Sequence, residues 1–163
     1  TMLHSSGFLS TFEYLRHRES ILFDPQEDGH VQNFLTGGWL ERYVLQVTRQ
    51  VVEKRTGAWH YEQALSCAHL TLPDQSEAEF DMLLGTADKV LWVECKTGDW
   101  QSYVKHFRTI NAQFLHLPPT QAVLVLLGEV DEIDKASNGE LTSMTVLDML
   151  EFGEWLSRTI VTA

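Results

Sequence analysis

One short segment, residues 121–127, limits the fold more than any other part of this 163-residue chain. Every residue from Ala122 to Leu127 is apolar, so a strand built from this segment would be hydrophobic on both faces. Such a strand has to be covered by helices on both sides, as in α/β proteins. Since no apolar run approaches the ~20 residues that span a bilayer, we expect a buried strand here and no membrane partner.

The periodic segments around this strand predict a mixed sheet covered by helices. A helix is expected from Gly37 to about Arg55, because apolar residues recur on one face and Gly57 follows. The other predicted elements are extended segments at 59–72, 79–84 and 90–95, a helix from 99 to 115, a short strand at 142–147 and a helix at 150–158. This order of elements indicates an α/β domain with a mixed β-sheet flanked by helices.

Two further regions are assigned from composition and local pattern. Residues 1–36 are predicted to form an N-terminal helical extension, with a helix around residues 8–23, and residues 37–163 the main domain. Residues 129–140 carry five acidic side chains and are expected to form a surface loop. The segments at 79–84 and 90–95 are expected to pair as a hairpin, because a short turn-forming stretch separates them.

Charged residues interrupt the two strands of this predicted hairpin. Glu94 and Lys96 share one face of their strand, because successive side chains alternate, and Cys95 points to the other face. Glu79 and Asp81 likewise share a face of the preceding strand. If the strands pair, Asp81 lies beside Glu94 and Lys96. Two adjacent carboxylates repel each other unless a proton or a cation intervenes.

This arrangement has a catalytic and a structural interpretation. Carboxylate oxygens suit Mg²⁺ or Mn²⁺, and a bound ion would polarise a phosphoryl oxygen and lower the pKa of a bound water. Lys96 would orient or deprotonate that water, or balance negative charge in the transition state. The alternative is an ion pair between Glu94 and Lys96 that lies in solvent. Because Asp81 adds a second carboxylate, we favour the metal site.

The pattern Asp81 followed by Glu94-Cys95-Lys96 on consecutive strands resembles the core of the PD-(D/E)xK nucleases. Two longer motifs, Gly-Gly-Trp-Leu-Glu from Gly37 and Val-Glu-Cys-Lys-Thr-Gly around Glu94, resemble the nuclease domain of the CRISPR ancillary effectors activated by cyclic oligoadenylate. The likeness spans about residues 34–127. It implies a restriction-endonuclease-like core, and metal-dependent cleavage of DNA or RNA in CRISPR-linked or other antiviral defence.

The resemblance also implies roles for the matching residues. Asp81 and Glu94 would bind Mg²⁺ or Mn²⁺, with the backbone carbonyl of Cys95 as a third ligand, and Lys96 would be the catalytic lysine. Because nucleases of this fold that cut two strands commonly pair, a homodimer is a further expectation.

Two acidic residues complete the site that the resemblance implies. Glu41, on the first helix, would be a further catalytic acid, and Glu79 a neighbour that binds a second metal ion. Without the resemblance, Glu41 would be assigned to a solvated helix surface. The chain departs from the family at Ala78, where Asn is expected. It departs again at residues 1–36, which are too few to be the N-terminal sensor domain of those effectors, so such a domain would lie outside this sequence.

Three polar residues of the second predicted helix are candidates for contacting substrate: Gln101, Lys105 and Arg108. Their spacing brings them together on one side of the helix, where they would contact a phosphate backbone. The alternative is a solvated helix face. The seven histidines show no metal-ligand spacing. Cys67 and Cys95 are expected to alternate into the core, and two cysteines do not make a disulfide framework, which favours a reducing cytoplasm.

The net charge of −11 argues at first against a nucleic-acid partner, which is usually bound by excess Lys and Arg. Residues 1–70 carry six basic and eight acidic side chains, or −2, and residues 71–163 carry six and fifteen, or −9. Carboxylates that hold a metal ion would reverse the local field. A metal-dependent nuclease is therefore the favoured function. A catalytically silent module that binds nucleic acid or protein, and a hydrolase of small phosphoesters, are the alternatives.

Overall fold

Seven strands and five helices make up the part of the chain that the computed structural model describes, residues 7–18, 20–59, 64–86, 88–128 and 130–160. In chain order they are β1 (Leu9–Leu15), β2 (Ser20–Pro25), α1 (Gly29–Asn33), α2 (Trp39–Thr56), β3 (Ala64–Thr71), β4 (Glu77–Gly85), β5 (Val90–Lys96), α3 (Val104–Ile110), β6 (Ala122–Leu126), α4 (Glu132–Thr142), β7 (Thr145–Asp148) and α5 (Phe152–Thr159). They belong to two compact units, Thr1–Trp39 and Leu40–Ala163.

The first unit contains an antiparallel hairpin of β1 and β2, so the predicted helix around residues 8–23 is wrong. Within the predicted helical extension at 1–36, the described residues are helical mainly from Gly29 onward. Phe12 lies opposite Phe23, and Thr11 donates a hydrogen bond to Asp24 Oδ2 at 2.8 Å. Aromatic and β-branched residues favour strands. The three basic residues Arg16–Arg18 form a short helical turn that joins the two strands. The segment that we assigned to one helix is therefore two strands with a turn between them.

The second unit is built on a five-stranded mixed sheet in the order β3-β4-β5-β6-β7. Antiparallel pairs join β3 to β4 and β4 to β5, whereas β5, β6 and β7 are parallel. The predicted α/β fold with a mixed sheet flanked by helices is confirmed, as is the hairpin of β4 and β5. The predicted extended segment at 59–72 corresponds to β3, and its residues 60–63 lie outside the described residues.

The centre of this sheet is apolar, as the composition of residues 121–127 predicted. Every residue of β6 is buried. Ala122, Leu124 and Leu126 belong to one buried cluster with Phe107 and Ile110 of α3. Burying a large apolar side chain stabilises a fold by about 1.5–3 kcal/mol, so this cluster is a main source of the sheet's stability.

The second predicted helix is confirmed, in three consecutive parts. A 3-10 turn at Gln101–Tyr103 leads into α3, and a wider helical turn, Asn111–Leu115, ends the segment before Pro118. At the start of this segment, Asp99 Oδ1 accepts a hydrogen bond from Ser102 N at 3.4 Å.

The acidic segment at 129–140 is not the surface loop that we predicted, because most of it lies in α4. Asp131 is the N-cap of this helix, and its Oδ1 accepts a hydrogen bond from Asp134 N at 2.8 Å. Acidic residues in a first turn complement the helix dipole, so the charges that suggested a loop favour a helix start instead. None of the helices in the described residues is long and apolar enough to cross a bilayer.

Candidate metal site

The ladder between β4 and β5 stops where their charged residues begin. Met82 lies opposite Val93, and toward the end of β5 no further pair follows among the described residues. Beyond this point each strand bonds to a carboxylate of the other. Cys95 N donates to Asp81 Oδ2 at 2.7 Å, and Asp81 N donates to Glu94 Oε1 at 3.4 Å. The parting of the two strands therefore leaves room for side chains and brings both carboxylates to the same place.

Lys96 joins the two carboxylates. Its Nζ lies 3.3 Å from Asp81 Oδ2 and 3.3 Å from Glu94 Oε2. We call these three residues the acid–lysine cluster. Glu94 is only 4% exposed, so the alternative of a Glu94–Lys96 ion pair lying in solvent does not describe this site. The two charges are paired inside the fold.

The electrostatics of the acid–lysine cluster follow from its burial. Desolvation raises the pKa of Glu94 to about 8, and the charge of Asp81 raises it as well, against the opposing effect of Lys96. For Lys96, burial lowers the pKa, but the charges of Asp81 and Glu94 outweigh it and the pKa is raised. Without a metal ion, a proton on Glu94 thus relieves the repulsion between the two carboxyl groups, and a bound cation would take the place of that proton.

Two aromatic rings cover the lysine on one side. Lys96 Nζ lies 5.1 Å from the ring centre of Tyr103 and 5.9 Å from that of Phe107. The two rings stack on each other with centres 6.0 Å apart. Such cation–π contacts favour the charged form of the ammonium and restrict where it can move.

Glu41 lies in the field of the same cluster. Burial, followed by the charge of Asp81, raises the pKa of Glu41. Its Oε2 accepts a hydrogen bond from Cys67 Sγ at 3.6 Å. Glu41 is thus close enough to Asp81 for the two charges to interact, and its role as a further catalytic acid stays a prediction.

Cys67 is exposed, and the prediction that it alternates into the core is wrong. Its φ of 50° lies in the left-handed region, and it is left out of the ladder between Ser66 and Ala68. The part of the side chain that is covered by protein loses some of its hydration, and this desolvation, together with the charge of Glu41, raises the pKa of the thiol. A local backbone change of this kind breaks the alternation on which the prediction depended.

Glu79 takes a different position from the other acids. It is exposed and lies opposite His69 on β3, with Glu79 Oε1 3.8 Å from His69 Nε2. Its charge raises the pKa of Glu41, so it contributes to the field. Within the described residues it makes no contact with Asp81 or Glu94, and its role as ligand for a second metal ion stays a prediction.

The main chain of Cys95 faces the same opening as the carboxylates. Trp92 N donates to Gln121 O and Lys96 O accepts from Leu127 N, so these two residues point toward β6. Since alternate residues of a strand point to opposite neighbours, the N–H and C=O of Cys95 point toward β4. The Cys95 side chain is buried, which raises the pKa of its thiol. Its carbonyl is therefore on the correct side to serve as the predicted third ligand.

The donor set fits a hard divalent cation. Two carboxylates and one carbonyl supply only oxygen, and Mg²⁺ is commonly bound by one or two carboxylates with water and phosphate completing the shell. Among the residues that the structure describes, no group of three His, Cys, Asp or Glu side chains forms a ready-made ligand set. Ligands from substrate or water would therefore have to complete the coordination.

Gln101, Lys105 and Arg108 come together, as predicted, along one shallow groove of the surface. Tyr103 and Phe107 face Lys96 from the same helical segment. Because side chains advance by about 100° per helical residue, the groove lies on the side turned away from Lys96. The structure thus separates these candidate substrate contacts from the acid–lysine cluster.

One residue of the site was missed from the sequence. Trp92 Nε1 donates a hydrogen bond to Glu94 Oε1 at 2.8 Å. Trp92 precedes Glu94 by two positions and therefore shares its face, a signal that the alternation rule contains. It was overlooked because a buried Trp is ordinarily assigned to packing alone.

Comparison with known proteins adds information on the fold. The crystal structure of protein VC1899 from Vibrio cholerae is similar, with a TM-score of 0.58 and 16% identity over 96% of this chain. This chain spans 39% of the length of that protein. No family model and no curated protein matches the chain. At this level of identity the likeness supports the α/β fold alone.

Proposed function

We propose that this chain is a metal-dependent nuclease that hydrolyses phosphodiester bonds of DNA or RNA with Mg²⁺ or Mn²⁺. The observation that carries the proposal is the convergence of Asp81, Glu94 and Lys96 where β4 and β5 part, with Lys96 Nζ 3.3 Å from each carboxylate. The same three residues carry the resemblance to PD-(D/E)xK nucleases. The burial of these three charged side chains supports a reactive site, because charged groups without a function at a site ordinarily lie in solvent.

Each residue has a defined part in this chemistry. Asp81, Glu94 and the Cys95 carbonyl would hold the cation, which polarises a phosphoryl oxygen and lowers the pKa of a bound water. Lys96 would turn its ammonium from the carboxylates toward the attacking water or the phosphate, where negative charge accumulates. The water oxygen would bond to phosphorus as the water gives up a proton to solvent, the bond from phosphorus to the leaving sugar oxygen would break, and that oxygen would take up a proton.

The charge distribution supports weak binding of substrate outside the site. With a net charge of −11, little non-specific attraction to a polyanion is available. Gln101, Lys105 and Arg108 would contact a part of the strand away from the cleaved bond, since their groove is turned away from Lys96. The resemblance supports a role in antiviral defence, CRISPR-linked or other, in the cytoplasm, with two copies pairing to cut two strands.

The proposal is tested by cleavage of labelled single- and double-stranded DNA and RNA in MnCl₂. Asp81→Asn, Glu94→Gln and Lys96→Met should each lower the rate by about 100-fold or more. Lys89→Met is the matched control, because the Lys89 side chain is 20% exposed, against 21% for Lys96, and pairs with Asp88 away from the site. An inactive wild-type protein, or full activity in all three site variants, contradicts the proposal.

One observation favours a second function, a catalytically silent module of the same fold. Lys96 already pairs with both carboxylates, so the charges of the acid–lysine cluster are partly compensated without a metal ion. Melting with and without MnCl₂ separates the two functions. A nuclease site that binds Mn²⁺ raises the melting temperature by mass action, whereas a module without a metal site gives the same curve in both conditions.

A further inference from the structure

Within the proposed metal site, we infer that Trp92 is a positioning residue for Glu94. Its indole N–H holds Glu94 Oε1, so that Oε2 stays turned toward Lys96, whose Nζ also contacts Asp81 Oδ2 and beside which a divalent cation would bind. The inference rests on the proposed function and adds to it a residue that the nuclease motif does not contain.

The hydrogen bond is made between two buried groups. Trp92 is 1% exposed and Glu94 is 4% exposed, and the atoms Nε1 and Oε1 are 2.8 Å apart. The other oxygen, Oε2, lies 3.3 Å from Lys96 Nζ. The two oxygens therefore have different partners, and the carboxylate has one defined orientation. In the absence of the indole N–H, Oε1 would keep only the weaker bond from Asp81 N, at 3.4 Å.

The indole itself is held in place by rings on two sides. Phe80 and Phe107 contact Trp92 edge-on, with ring centres 5.8 Å and 6.0 Å away. Phe107 also borders Lys96, at 5.9 Å from Nζ. One aromatic group thus limits the movement of both the acid and the lysine. Packing of this kind is what gives a positioning residue its precision.

The presence of Trp at position 92 also supports a positioning role. Leu or Phe would satisfy burial at position 92, and the strand positions beside it on β6 are occupied by Ala122 and Leu124. Trp adds a single polar atom, and a buried indole N–H usually has a partner. Here that partner is an oxygen of the proposed metal ligand, so the polar atom has a function at the site that packing does not require.

The test compares two tryptophans of the same buried cluster. Trp92→Phe removes the N–H and keeps an aromatic ring, and we expect Mn²⁺ affinity measured by calorimetry to fall about 10- to 100-fold, as for other residues that orient metal ligands. Trp100→Phe is the matched control, because Trp100 lies in the same cluster and is 9% exposed. It should bind Mn²⁺ as the wild-type protein does. Melting of both variants in EDTA measures the loss of packing separately.

A second measurement needs no variant of Trp92. In ¹⁵N-labelled wild-type protein, the Trp92 indole N–H signal should shift during a MgCl₂ titration with the midpoint of metal binding. The Trp100 signal should stay in place. This readout follows the hydrogen bond directly and is available even where Trp92→Phe does not fold.

The outcomes separate this inference from the proposed function. Three results would overturn the positioning role and leave the nuclease proposal standing. They are wild-type Mn²⁺ affinity in Trp92→Phe, an equal loss of affinity in Trp100→Phe, and a Trp92 indole signal that does not shift when Mg²⁺ is added. A wild-type protein that binds neither Mn²⁺ nor Mg²⁺ overturns both. A selective loss in Trp92→Phe together with the shifted signal supports the inference.

Discussion

Two lysines, Lys96 and Lys135, each pair with several carboxylates at the end of the sheet where β5 and β7 finish. The two groups differ in the burial and the hydrogen-bond partners of these carboxylates. Lys96 ends β5 and lies opposite Leu126 of β6, while Asp148 ends β7 and lies opposite Leu126 on the other side. Asp148 belongs to a second group, the Lys135 cluster, defined by Glu132, Lys135, Asp148 and Glu151. There Lys135 Nζ lies 2.6 Å from Glu151 and 3.0 Å from Glu132.

The carboxylates of the Lys135 cluster have ordinary structural partners. The Glu132 side chain is 87% exposed. Asp148 Oδ1 accepts hydrogen bonds from the backbone of Leu150 and Glu151, at 2.9 Å and 3.1 Å. The hydrogen bond that Lys135 donates to Glu151 raises the pKa of the lysine. This cluster connects α4 to the turn before α5. Solvent reaches Glu132 and Glu151, whose side chains are 87% and 40% exposed, whereas Lys135 and Asp148 are largely buried.

In the acid–lysine cluster, by contrast, Glu94 is buried and its pKa is raised by desolvation. Residue types alone do not distinguish the two groups, since each combines one lysine with Asp and Glu. The near-complete burial of Glu94 and the ending of a strand ladder distinguish them, since Lys135 and Asp148 are about as buried as Lys96 and Asp81. In the Lys135 cluster the carboxylates are either exposed or bonded to backbone N–H groups, so they have less use for a cation than the buried Glu94.

The largest expected difference is in catalysis. Lys96→Met should lower cleavage about 100-fold or more, while Lys135→Met should leave cleavage intact and lower the melting temperature, because it removes ion pairs that connect α4 to the end of the sheet. Both rates and both melting curves are measured in the same MnCl₂ buffer. Loss of cleavage in both variants, at temperatures where both are folded, would show that the two clusters do not differ in their contribution to cleavage.

An intermediate effect is expected in the pH dependence of stability in EDTA. Because the pKa of Glu94 is raised to about 8 in the fold, its protonated form is favoured there. The contribution is complete below the unfolded pKa, near 4.5, and is lost as the pH rises toward about 8. The free energy of unfolding should fall over this window by an amount on the order of a few kcal/mol.

Urea unfolding between pH 4.5 and pH 8 measures this slope. Glu94→Gln should flatten it, although Glu41, whose pKa is also raised, adds a slope of the same sign that this variant leaves in place. Glu151→Gln, in the Lys135 cluster, is the control and should keep the wild-type slope. A Glu94→Gln protein with an unchanged profile would contradict the assignment of the slope to this buried acid.

The smallest effect is expected from salt. Ion pairs to exposed carboxylates are screened at a Debye length of about 8 Å in 0.15 M salt. Two of the three carboxylates that pair with Lys135 are exposed, so the difference in melting temperature between wild type and Lys135→Met should shrink from low to high NaCl. The difference between wild type and Lys96→Met should change less, since Glu94 is buried. Equal salt dependence in the two pairs of melting curves would remove the distinction between a cluster with exposed carboxylates and one that contains the buried Glu94.

Much of the second unit was accessible from the sequence, because its signals are local. The apolar run of β6, the one-sided pattern of α2 and the charges at Asp81, Glu94 and Lys96 each reflect regular alternation or helical spacing. The α/β fold followed from them. Where regular geometry holds, a side chain's direction can be assigned from its position in the chain.

The failures arose where geometry or partners were not local. Cys67 has a left-handed backbone within a strand, which no spacing rule anticipates. The acidic composition of residues 129–140 hid an N-cap at Asp131, and the hairpin of β1 and β2 depends on cross-strand pairs such as Phe12 with Phe23. Trp92 was given no role, because its hydrogen bond to Glu94 is visible only in the folded strand.

The end of the ladder after Met82 and Val93 has a consequence for assembly of the proposed site. Beyond this pair, the strands are connected by carboxylates that bond to the opposite backbone, at Asp81 and Glu94. A cation bound there would act as the next rung, holding β4 to β5 where main-chain pairing has stopped. A slip of one residue in register would turn Glu94 to the opposite face and separate the ligands. Correct strand registration and assembly of the metal site would thus be one event.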